Sequence, residues 1–201
     1  MADTGSIQLV HSESKCGTHC QQPWKRILVC YAISLVLLAA IGLILAFVIP
    51  SSRARAIIYT GCDEVSGKRM GSLELEAENG MTRLRCQLSG LPFGLHGLHV
   101  HESANFTDGC TSTLGHYNPT ESNHGGPLGE VRHDADFGNI MGNFKQTCET
   151  EVLANVRLEY IVGRAFVVHM EGDDLGQGGD VGSRTTGNAG GRLAGGRIEW
   201  V

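Results

Sequence analysis

The chain has 201 residues, a length that suits one globular domain with an appendage. Its net charge of −5 is mild and its Lys and Arg residues form no long run, so no nucleic-acid partner is predicted. Glycine is frequent, with 28 residues, and aromatic residues make up only 6%, which is typical of short strands joined by turns and long loops.

The chain begins with a short polar N-terminal tail, residues 1–26, which is expected to be disordered. This tail contains Cys16 and Cys20 with His11 and His19 close by, so a metal-binding clip is an alternative to a flexible segment. The flexible tail is favoured, because so short a polar segment has no core of its own.

An uncharged run follows at residues 27–49, in which Cys30, Tyr31 and Ser34 carry the only polar side chains. As a helix rising about 1.5 Å per residue, it would span roughly 34 Å, enough to cross a hydrocarbon core of about 30 Å. The sequence therefore predicts a transmembrane signal-anchor helix in contact with membrane lipid, followed by a linker at residues 50–56. A cleaved signal peptide and a buried core helix are the alternatives, but the apolar region of a signal peptide is usually only about 7–15 residues long.

The orientation of this segment is indicated weakly by charge and more directly by a sequon. Basic residues flank the run on both sides, so the positive-inside rule gives only a weak preference for a cytosolic N-terminus. The sequon Asn105-Phe106-Thr107 supports a lumenal or extracellular domain, because such sites are modified only there. We therefore expect a single-pass membrane protein whose domain lies outside the cytosol and carries a glycan on Asn105.

Residues 57–201 are predicted to form one domain of antiparallel strands. In residues 71–78 and 82–89, apolar and polar side chains alternate, as in strands with one buried and one solvated face. Asn79-Gly80 between them is a strong hairpin signal. Further strands are predicted for residues 56–60, 161–170 and 196–201. This pattern predicts a two-sheet sandwich or flattened barrel.

Six histidines and one carboxylate form the candidate metal site. His99 and His101 are two residues apart in a strand-like segment, so both imidazoles can point at one ion. A long loop without periodicity and the end of the 161–170 strand supply the others: His116, His124, His133, Asp136 and His169. These residues are too many for one tetrahedral ion but suit two ions with a shared ligand, and imidazole suits copper and zinc.

Five motifs in this region resemble, in order, those of the copper/zinc superoxide dismutases, and together they cover nearly all of residues 57–201. They are GLHGLHVHE (94–102), DGCTSTLGHYNP (108–119), HGGPLGEVRHDADFGN (124–139), VGRAFVVHMEGDDLGQGG (162–179) and TGNAGGRLA (186–194). The resemblance implies an all-β fold, a Greek-key antiparallel β-sandwich or flattened barrel, that holds a copper ion and a zinc ion.

The resemblance also implies the role of each site residue. Copper would be bound by His99, His101, His116 and His169. Zinc would be bound by His116, His124, His133 and Asp136, with His116 as the bridging imidazolate. Asp173 would hydrogen-bond one ligand histidine of each metal and fix its orientation. Arg192 would attract and orient an anion beside the copper.

The implied activity is that of a superoxide dismutase, an enzyme that converts two superoxide anions to dioxygen and hydrogen peroxide. Copper would change oxidation state while zinc serves structure, His116 would supply one proton, and Arg192 would provide a permanent positive charge. The alternative is a metal-binding pseudoenzyme or structural relative with weak turnover. A copper chaperone is a third option, but its MxCxxC module does not match the segment from Cys16 to Cys20.

The sequence departs from the family at a disulfide. In the family, the loop cysteine, here Cys110, pairs with a cysteine shortly after the arginine, and that position is Gly195 here. The family bridge cannot form, and loss of a native disulfide commonly costs a few kcal/mol. We expect Cys62 to substitute, because it follows the first strand, which pairs with the last strand in the family. Cys86 and Cys148 are either a second pair or buried thiols.

Two further departures concern the approach to the site and the subunit contact. Residues 180–185 contain Arg184 as their only cation, where the family has acidic residues and a lysine. Slower and less salt-sensitive turnover is therefore expected, since superoxide dismutase is itself the standard example of electrostatic steering. Ser103 and Ala104 replace a bulkier pair that lies at a dimer contact in the family. The segment 139–169 is also shorter than its counterpart in the family. Whether the chain keeps the family's homodimer is left open.

Overall fold

The structure, a computed structural model, describes residues 23–48, 52–143 and 151–201. Within the N-terminal helix, it describes the side chains of residues 27–41. Cys16 and Cys20, on which the metal-clip alternative for the tail depends, lie outside the described residues, and so does Cys148. Cys86 itself is buried in the domain.

The first unit of the chain, Met1–Pro50, contains helix α1, Pro23–Val48. The described side chains of residues 27–41 are exposed all along the helix. Within the described part of the chain, no helix is long and apolar enough to cross a membrane. The transmembrane helix predicted for residues 27–49 is thus not confirmed.

The second unit, Ser51–Val201, is an antiparallel β-structure. Its strands are β1 Arg53–Thr60, β2 Arg69–Glu78, β3 Met81–Leu88, β4 Gly94–His101, β5 Thr107–Cys110, β6 Asp136–Gly142, β7 Glu151–Ala154, β8 Ala165–His169 and β9 Arg192–Trp200. Three short helices join them: a 3-10 turn Thr111–Thr113, α2 Leu158–Ile161 and α3 Val181–Thr186.

Eight of these strands form one sheet in the order β6-β4-β8-β9-β1-β2-β3-β7. Every neighbouring pair is antiparallel, and the sheet curls into a nearly closed barrel. The largest fully buried side chains of the core come from strands far apart in sequence, among them Ile58, Leu73, Leu84, Phe137, Phe166 and Ile198. The predicted all-β antiparallel class is confirmed.

The hairpin predicted at Asn79-Gly80 is present. Glu78 lies opposite Met81, and the two residues between them have φ angles of 51° and 81°. Positive φ at both positions is what a two-residue hairpin turn requires, and Asn and Gly tolerate it best. Along β3 the predicted alternation also holds, because the apolar side chains are buried while Arg85 and its neighbours on the same face point outward.

Strand boundaries differ from the prediction by three or more residues at three places. β1 begins at Arg53, inside the predicted 50–56 linker, because the small side chains of Ala54 and Ala56 are buried against the neighbouring strands. β8 begins only at Ala165, since residues 158–161 form a helical turn and Gly163, two residues after it, has a φ of 86°. β9 begins at Arg192, four residues before the predicted start at 196.

The long segment between His101 and Asp136 is tied to the barrel by a disulfide. Cys62, in the turn after β1, is bonded to Cys110 at the end of β5, which confirms the predicted substitution. β1 pairs with β9 so that Tyr59 lies opposite Gly195. A Cβ on Gly195 would lie 2.5 Å from the Cys62 Sγ atom, so the Cys62 sulfur fills the space that a side chain at position 195 would need.

Candidate metal centre

Strand β4 brings two histidines to the site. His99 and His101 are almost fully buried, and Val100 between them packs into the hydrophobic core. Because alternate side chains of a strand point to opposite faces, both imidazoles lie on one face and Val100 on the other. β4 pairs with β8, and His169 is the last residue of that neighbouring strand.

The loop after β4 folds back onto the same strand. His116 forms an isolated β-bridge with His101, and the Tyr117 amide donates a hydrogen bond to the Val100 carbonyl at 2.8 Å. These backbone bonds place His116 against the strand that carries the first two histidines. The position of His116 is therefore set by the fold and not by its own side chain.

Asp136, the first residue of β6, lies at the other end of this loop and is fully buried. Its Oδ2 atom accepts hydrogen bonds from the backbone amides of Gly125 and His133 at 3.2 and 3.1 Å. Its Oδ1 atom lies 3.2 Å from His116 Nδ1 and 3.3 Å from His133 Nδ1. His124 Nδ1 is 2.8 Å from Oδ2. The carboxylate thus faces three imidazoles at once.

His116 lies at the centre of the whole cluster. Its ring centroid is within 6 Å of each of the other five: 4.1 Å to His99, 5.2 Å to His101, 5.5 Å to His124, 5.3 Å to His133 and 5.8 Å to His169. The structure therefore brings all seven predicted ligands together, in two groups that have this residue in common.

Ligand atoms that lie within 4.8 Å of one another form two sets. One set is His101, His116 and His169; the other is His99, His116, His124 and Asp136. Both contain His116, as a residue shared between two ions would require. His133 belongs to neither set, and its contacts with Asp136 and His116 place it at the edge of the second.

Three buried imidazole nitrogens have no hydrogen-bond partner among the described residues: His99 Nδ1, His116 Nε2 and His124 Nδ1. A buried polar atom without a partner costs about 1–3 kcal/mol, so three in one cluster need an explanation. His124 Nδ1 lies close to Asp136 Oδ2 without being aligned for a hydrogen bond. This is the arrangement expected of two atoms that bind the same ion. Bound metal ions would satisfy all three nitrogens, and the nitrogen-rich donor set suits copper and zinc.

Asp173 holds two histidines of the second set from outside. Its Oδ2 atom accepts a hydrogen bond from His99 Nε2 at 2.9 Å, and its Oδ1 atom accepts one from His124 Nε2 at 2.7 Å. Both histidines then present Nδ1 to the centre. In the same way, His101 and His169 donate through Nδ1 to backbone carbonyls, which leaves their Nε2 atoms 3.3 Å apart and facing each other. Such outer hydrogen bonds fix the tautomer and the orientation of a ligand.

Replacing Asp173 with asparagine should lower the affinity of both metal positions by roughly 10–100-fold, the usual effect of losing an outer carboxylate. The amide keeps the size of the side chain but cannot accept from both imidazoles at once. Competition with chelators of known affinity measures the change, and Glu171→Gln, at an exposed residue two positions away, is the matched control. Unchanged affinity for both metals would contradict the prediction.

Burial dominates the protonation of three of the imidazoles. It lowers the pKa of His99 to about 3, of His101 to about 2 and of His169 to about 4. For Asp136, burial favours the neutral acid, but hydrogen bonds from the surrounding histidines outweigh it and hold the pKa below its usual range. Burial also opposes a charge on His124, yet its two carboxylate partners outweigh this effect and raise its pKa to about 9.

These shifts predict a stability maximum near pH 6.5 for the metal-free protein. Histidines with a lowered pKa stabilise the fold above their unfolded pKa of about 6.5, and this contribution is lost as the pH falls towards 4. Each such histidine contributes about 1.4 kcal/mol per pH unit. His124, with a raised pKa, stabilises the fold below pH 6.5 and loses this contribution as the pH rises through 9.

Urea unfolding of the metal-free protein at pH 5, 6.5 and 9 measures this profile. We expect the highest midpoint at pH 6.5 and the steepest loss on the acid side, where several histidines take up protons. A midpoint that is constant between pH 5 and 6.5 would contradict it.

A cavity of about 380 Å³ opens beside the cluster and is lined by His101, His116, His169, Thr185, Thr186 and Arg192, among others. The Arg192 guanidinium donates to the carbonyls of Cys110 and Thr111 at 2.7 and 3.1 Å, and to that of Leu114. Within the described residues, no carboxylate forms an ion pair with Arg192. Its positive charge is therefore held at the cavity by neutral groups and remains available to an anion.

Sequence reasoning missed the residues that hold Arg192 and His101 in place. Leu114 accepts hydrogen bonds from both through its carbonyl, and the Thr113 hydroxyl contacts both. A carbonyl acceptor leaves no trace in a sequence, because every residue has one. The side chain of Thr113 reads from sequence as an ordinary loop threonine.

Comparison with known proteins identifies the family. The family model described as copper/zinc superoxide dismutase matches residues 70–198. A solved structure, described as a crystal structure analysis of the clock protein EA4, is 34% identical in sequence. The match covers 76% of this chain and 97% of that one, with a TM-score of 0.68.

Proposed function

Because this chain belongs to the copper/zinc superoxide dismutase family, we propose that it is a superoxide dismutase. It would convert two superoxide anions to dioxygen and hydrogen peroxide at a bridged copper and zinc site. The observation that best supports this activity is the central place of His116, whose ring lies within 6 Å of five other histidine rings. One buried cluster with a shared central ligand is the arrangement that a two-metal site requires, and unrelated surface histidines would not produce it.

The ligand sets follow the family resemblance, and the facing nitrogens support them for all but His99, whose ligand atom lies within 4.8 Å of those of His116, His124 and Asp136. We assign copper to His99, His101, His116 and His169, and zinc to His116, His124, His133 and Asp136. In support, His101 and His169 present Nε2 beside His116, while Asp136 meets the Nδ1 atoms of the other group. Copper supplies one-electron redox chemistry in such a site, and zinc supplies a fixed charge.

The protein residues bind the anion and manage the protons. Arg192 lines the cavity with His101 and His116, so its guanidinium can bind and orient a small anion there. His116 Nε2, the buried nitrogen that lacks a hydrogen-bond partner among the described residues, would hold a proton whenever it is not a metal ligand and deliver it to the reduced product.

The first test is the rate of superoxide loss with the full-length protein. Pulse radiolysis would follow the loss after copper and zinc have been loaded and counted, with Arg192→Ala and metal-free protein as controls. Fast loss that needs copper would support the enzyme. Two bound metals with negligible turnover would instead support the alternative, a metal-binding pseudoenzyme of the same fold.

Turnover is expected to be slower and less sensitive to salt than in a soluble relative, because α3 offers the approaching anion only Arg184. Thr185 is exposed and lines the cavity, so Thr185→Lys should raise the rate roughly twofold or more at low ionic strength and steepen its fall with salt. Val65→Lys adds the same charge in an exposed turn as the control. Equal slopes for the two variants would refute the steering account.

We also propose that the domain is tethered to a membrane through residues 27–49 and lies outside the cytosol. The uncharged run, the exposed apolar side chains of α1 and the sequon at the exposed Asn105 support this localisation. The disulfide between Cys62 and Cys110 supports an oxidising compartment as well.

Extraction of cell membranes at high pH tests the tether. We expect the full chain to stay in the pellet, and Leu35→Arg/Leu38→Arg to be released, because each arginine at the centre of a span costs about 2.5–3.5 kcal/mol. A mobility shift on deglycosylation that Asn105→Gln abolishes would place the domain outside the cytosol. Release of the unaltered chain would refute the tether.

The face that contains Ser103 and Ala104 is the candidate surface for self-association. Ser103 and Ala104 line an open cavity together with Arg164 and Arg197, so this face is more polar than a typical obligate interface. Light scattering on the purified domain would show whether the homodimer of the family persists.

A further inference from the structure

The Thr113 hydroxyl is a buried polar group whose contacts extend beyond its own turn. Thr113 ends the 3-10 turn that comes after the disulfide residue Cys110, and it is fully buried. Its Oγ1 atom donates a hydrogen bond to the Cys110 carbonyl at 2.8 Å. Since a hydroxyl has one proton, its other contacts must use the oxygen as acceptor.

Two groups of the candidate site reach this oxygen. His101 Nδ1 lies 3.1 Å from it and Arg192 Nη1 lies 3.3 Å from it. Both are donors here, because the Leu114 carbonyl requires a proton on Nδ1, which the two oxygens share, and a guanidinium has only donors. The hydroxyl therefore uses its full hydrogen-bonding capacity and joins the disulfide loop, the imidazole and the guanidinium.

The backbone around the hydroxyl is held in an uncommon conformation. Leu114 has φ 65° and ψ −150°, a region that favours glycine and costs free energy for a leucine. This conformation aims the Leu114 carbonyl at the same two donors that Thr113 contacts. Such a conformation persists only where neighbouring contacts enforce it, and the two donors that hold the Leu114 carbonyl are also the ones that contact the Thr113 hydroxyl.

We propose that Thr113 is a positioning residue that fixes His101 and Arg192 relative to each other. The inference rests on the proposed function, because it gives those two residues their roles at the copper. Together with the Leu114 carbonyl, the hydroxyl keeps the proton of His101 on Nδ1, so that Nε2 faces His169 and the centre, and it holds the guanidinium at the wall of the cavity. Through Cys110 it passes the restraint of the disulfide to both groups.

The test compares Thr113→Val, which has the same shape without the hydroxyl, with Thr113→Ser, which keeps the hydroxyl. Azide serves as the anionic probe of the full chain loaded with copper and zinc, and its binding is followed by the copper absorption band. We expect azide affinity about tenfold weaker in Thr113→Val, the size of one charge-assisted hydrogen bond, and close to that of the unaltered protein in Thr113→Ser.

A second readout needs no metal. In the metal-free protein, the Nδ1 proton of His101 should exchange with water roughly tenfold faster in Thr113→Val than in Thr113→Ser, as measured by NMR. Thr113→Ala provides the same comparison if the valine does not fold. Equal exchange rates and equal azide affinities in the variants with and without the hydroxyl would overturn the proposal. Failure of the protein to turn over superoxide would refute the proposed function but leave this comparison intact.

Discussion

Replacing Cys62 with alanine is expected to lower the free energy of unfolding of the metal-free protein by about 4 kcal/mol. The bridge to Cys110 closes a loop with a sequence separation of 48 residues. On the chain-entropy account, opening a loop of this length raises the conformational entropy of the unfolded chain. This stabilises the unfolded state by roughly 4 kcal/mol. Urea unfolding monitored by fluorescence and circular dichroism measures the difference.

Two comparisons separate the bridge from the cysteine itself. Cys110→Ala should cost a similar amount, and the double variant should cost little more than either one, because both remove the same bond. Cys30→Ala, at an exposed position of α1, should change nothing. Additive costs for the two bridge cysteines would show that the stabilisation comes from local packing and not from the bridge.

The structure also predicts the effect of restoring the family's cysteine at position 195. In the protein as it is, a side chain at Gly195 would meet the Cys62 sulfur and the Phe166 carbonyl, each at 2.5 Å from its Cβ. Gly195→Cys alone should therefore destabilise the fold. Cys62→Ala/Gly195→Cys should recover part of the lost stability, because the clash with the Cys62 sulfur is removed. The recovery should be incomplete, because the close contact with the Phe166 carbonyl remains.

The second large effect concerns zinc. Asp136→Asn should weaken zinc binding by roughly 1,000-fold or more, equivalent to about 4 kcal/mol. The carboxylate is fully buried and faces three imidazoles, and its hydrogen bonds hold it in the charged form. An amide of the same size removes the charge that compensates the ion.

Asp134→Asn is the matched control for this change. Asp134 lies two residues away, is partly exposed and accepts a hydrogen bond from Thr120. Zinc affinity measured by chelator competition should be unaffected there. If Asp136→Asn bound zinc as tightly as the unaltered protein, Asp136 would not be a ligand, and the zinc assignment would be wrong.

Several parts of the domain could be predicted from the sequence because the signal is local. The Asn79-Gly80 turn is visible because few residue pairs accept positive φ twice in succession. The buried face of β3 is visible because its apolar residues recur with a period of two. The same period places His99 and His101 on one face of β4, since they are two residues apart.

Other parts depended on contacts between distant segments. β6 and β7 carry no clear alternation, and their pairing with β4 and β3 arises from the closure of the barrel. The start of β1 at Arg53 depends on where β2 and β9 end. A sequence window cannot contain this information, since the partner strands lie far away along the chain.

The amino-acid sequence was sufficient to predict the antiparallel β class, the membership of the metal cluster and the bridge between Cys62 and Cys110. Those features rest on residue identity and short spacing, or on motifs that match a family throughout. The resemblance also implied the shared place of His116 and the role of Asp173. Two other features required the folded chain: the Thr113 hydroxyl lies between His101 and Arg192, and the Leu114 carbonyl accepts from both. These are distances between groups from separate loops and strands, and folding alone brings them together.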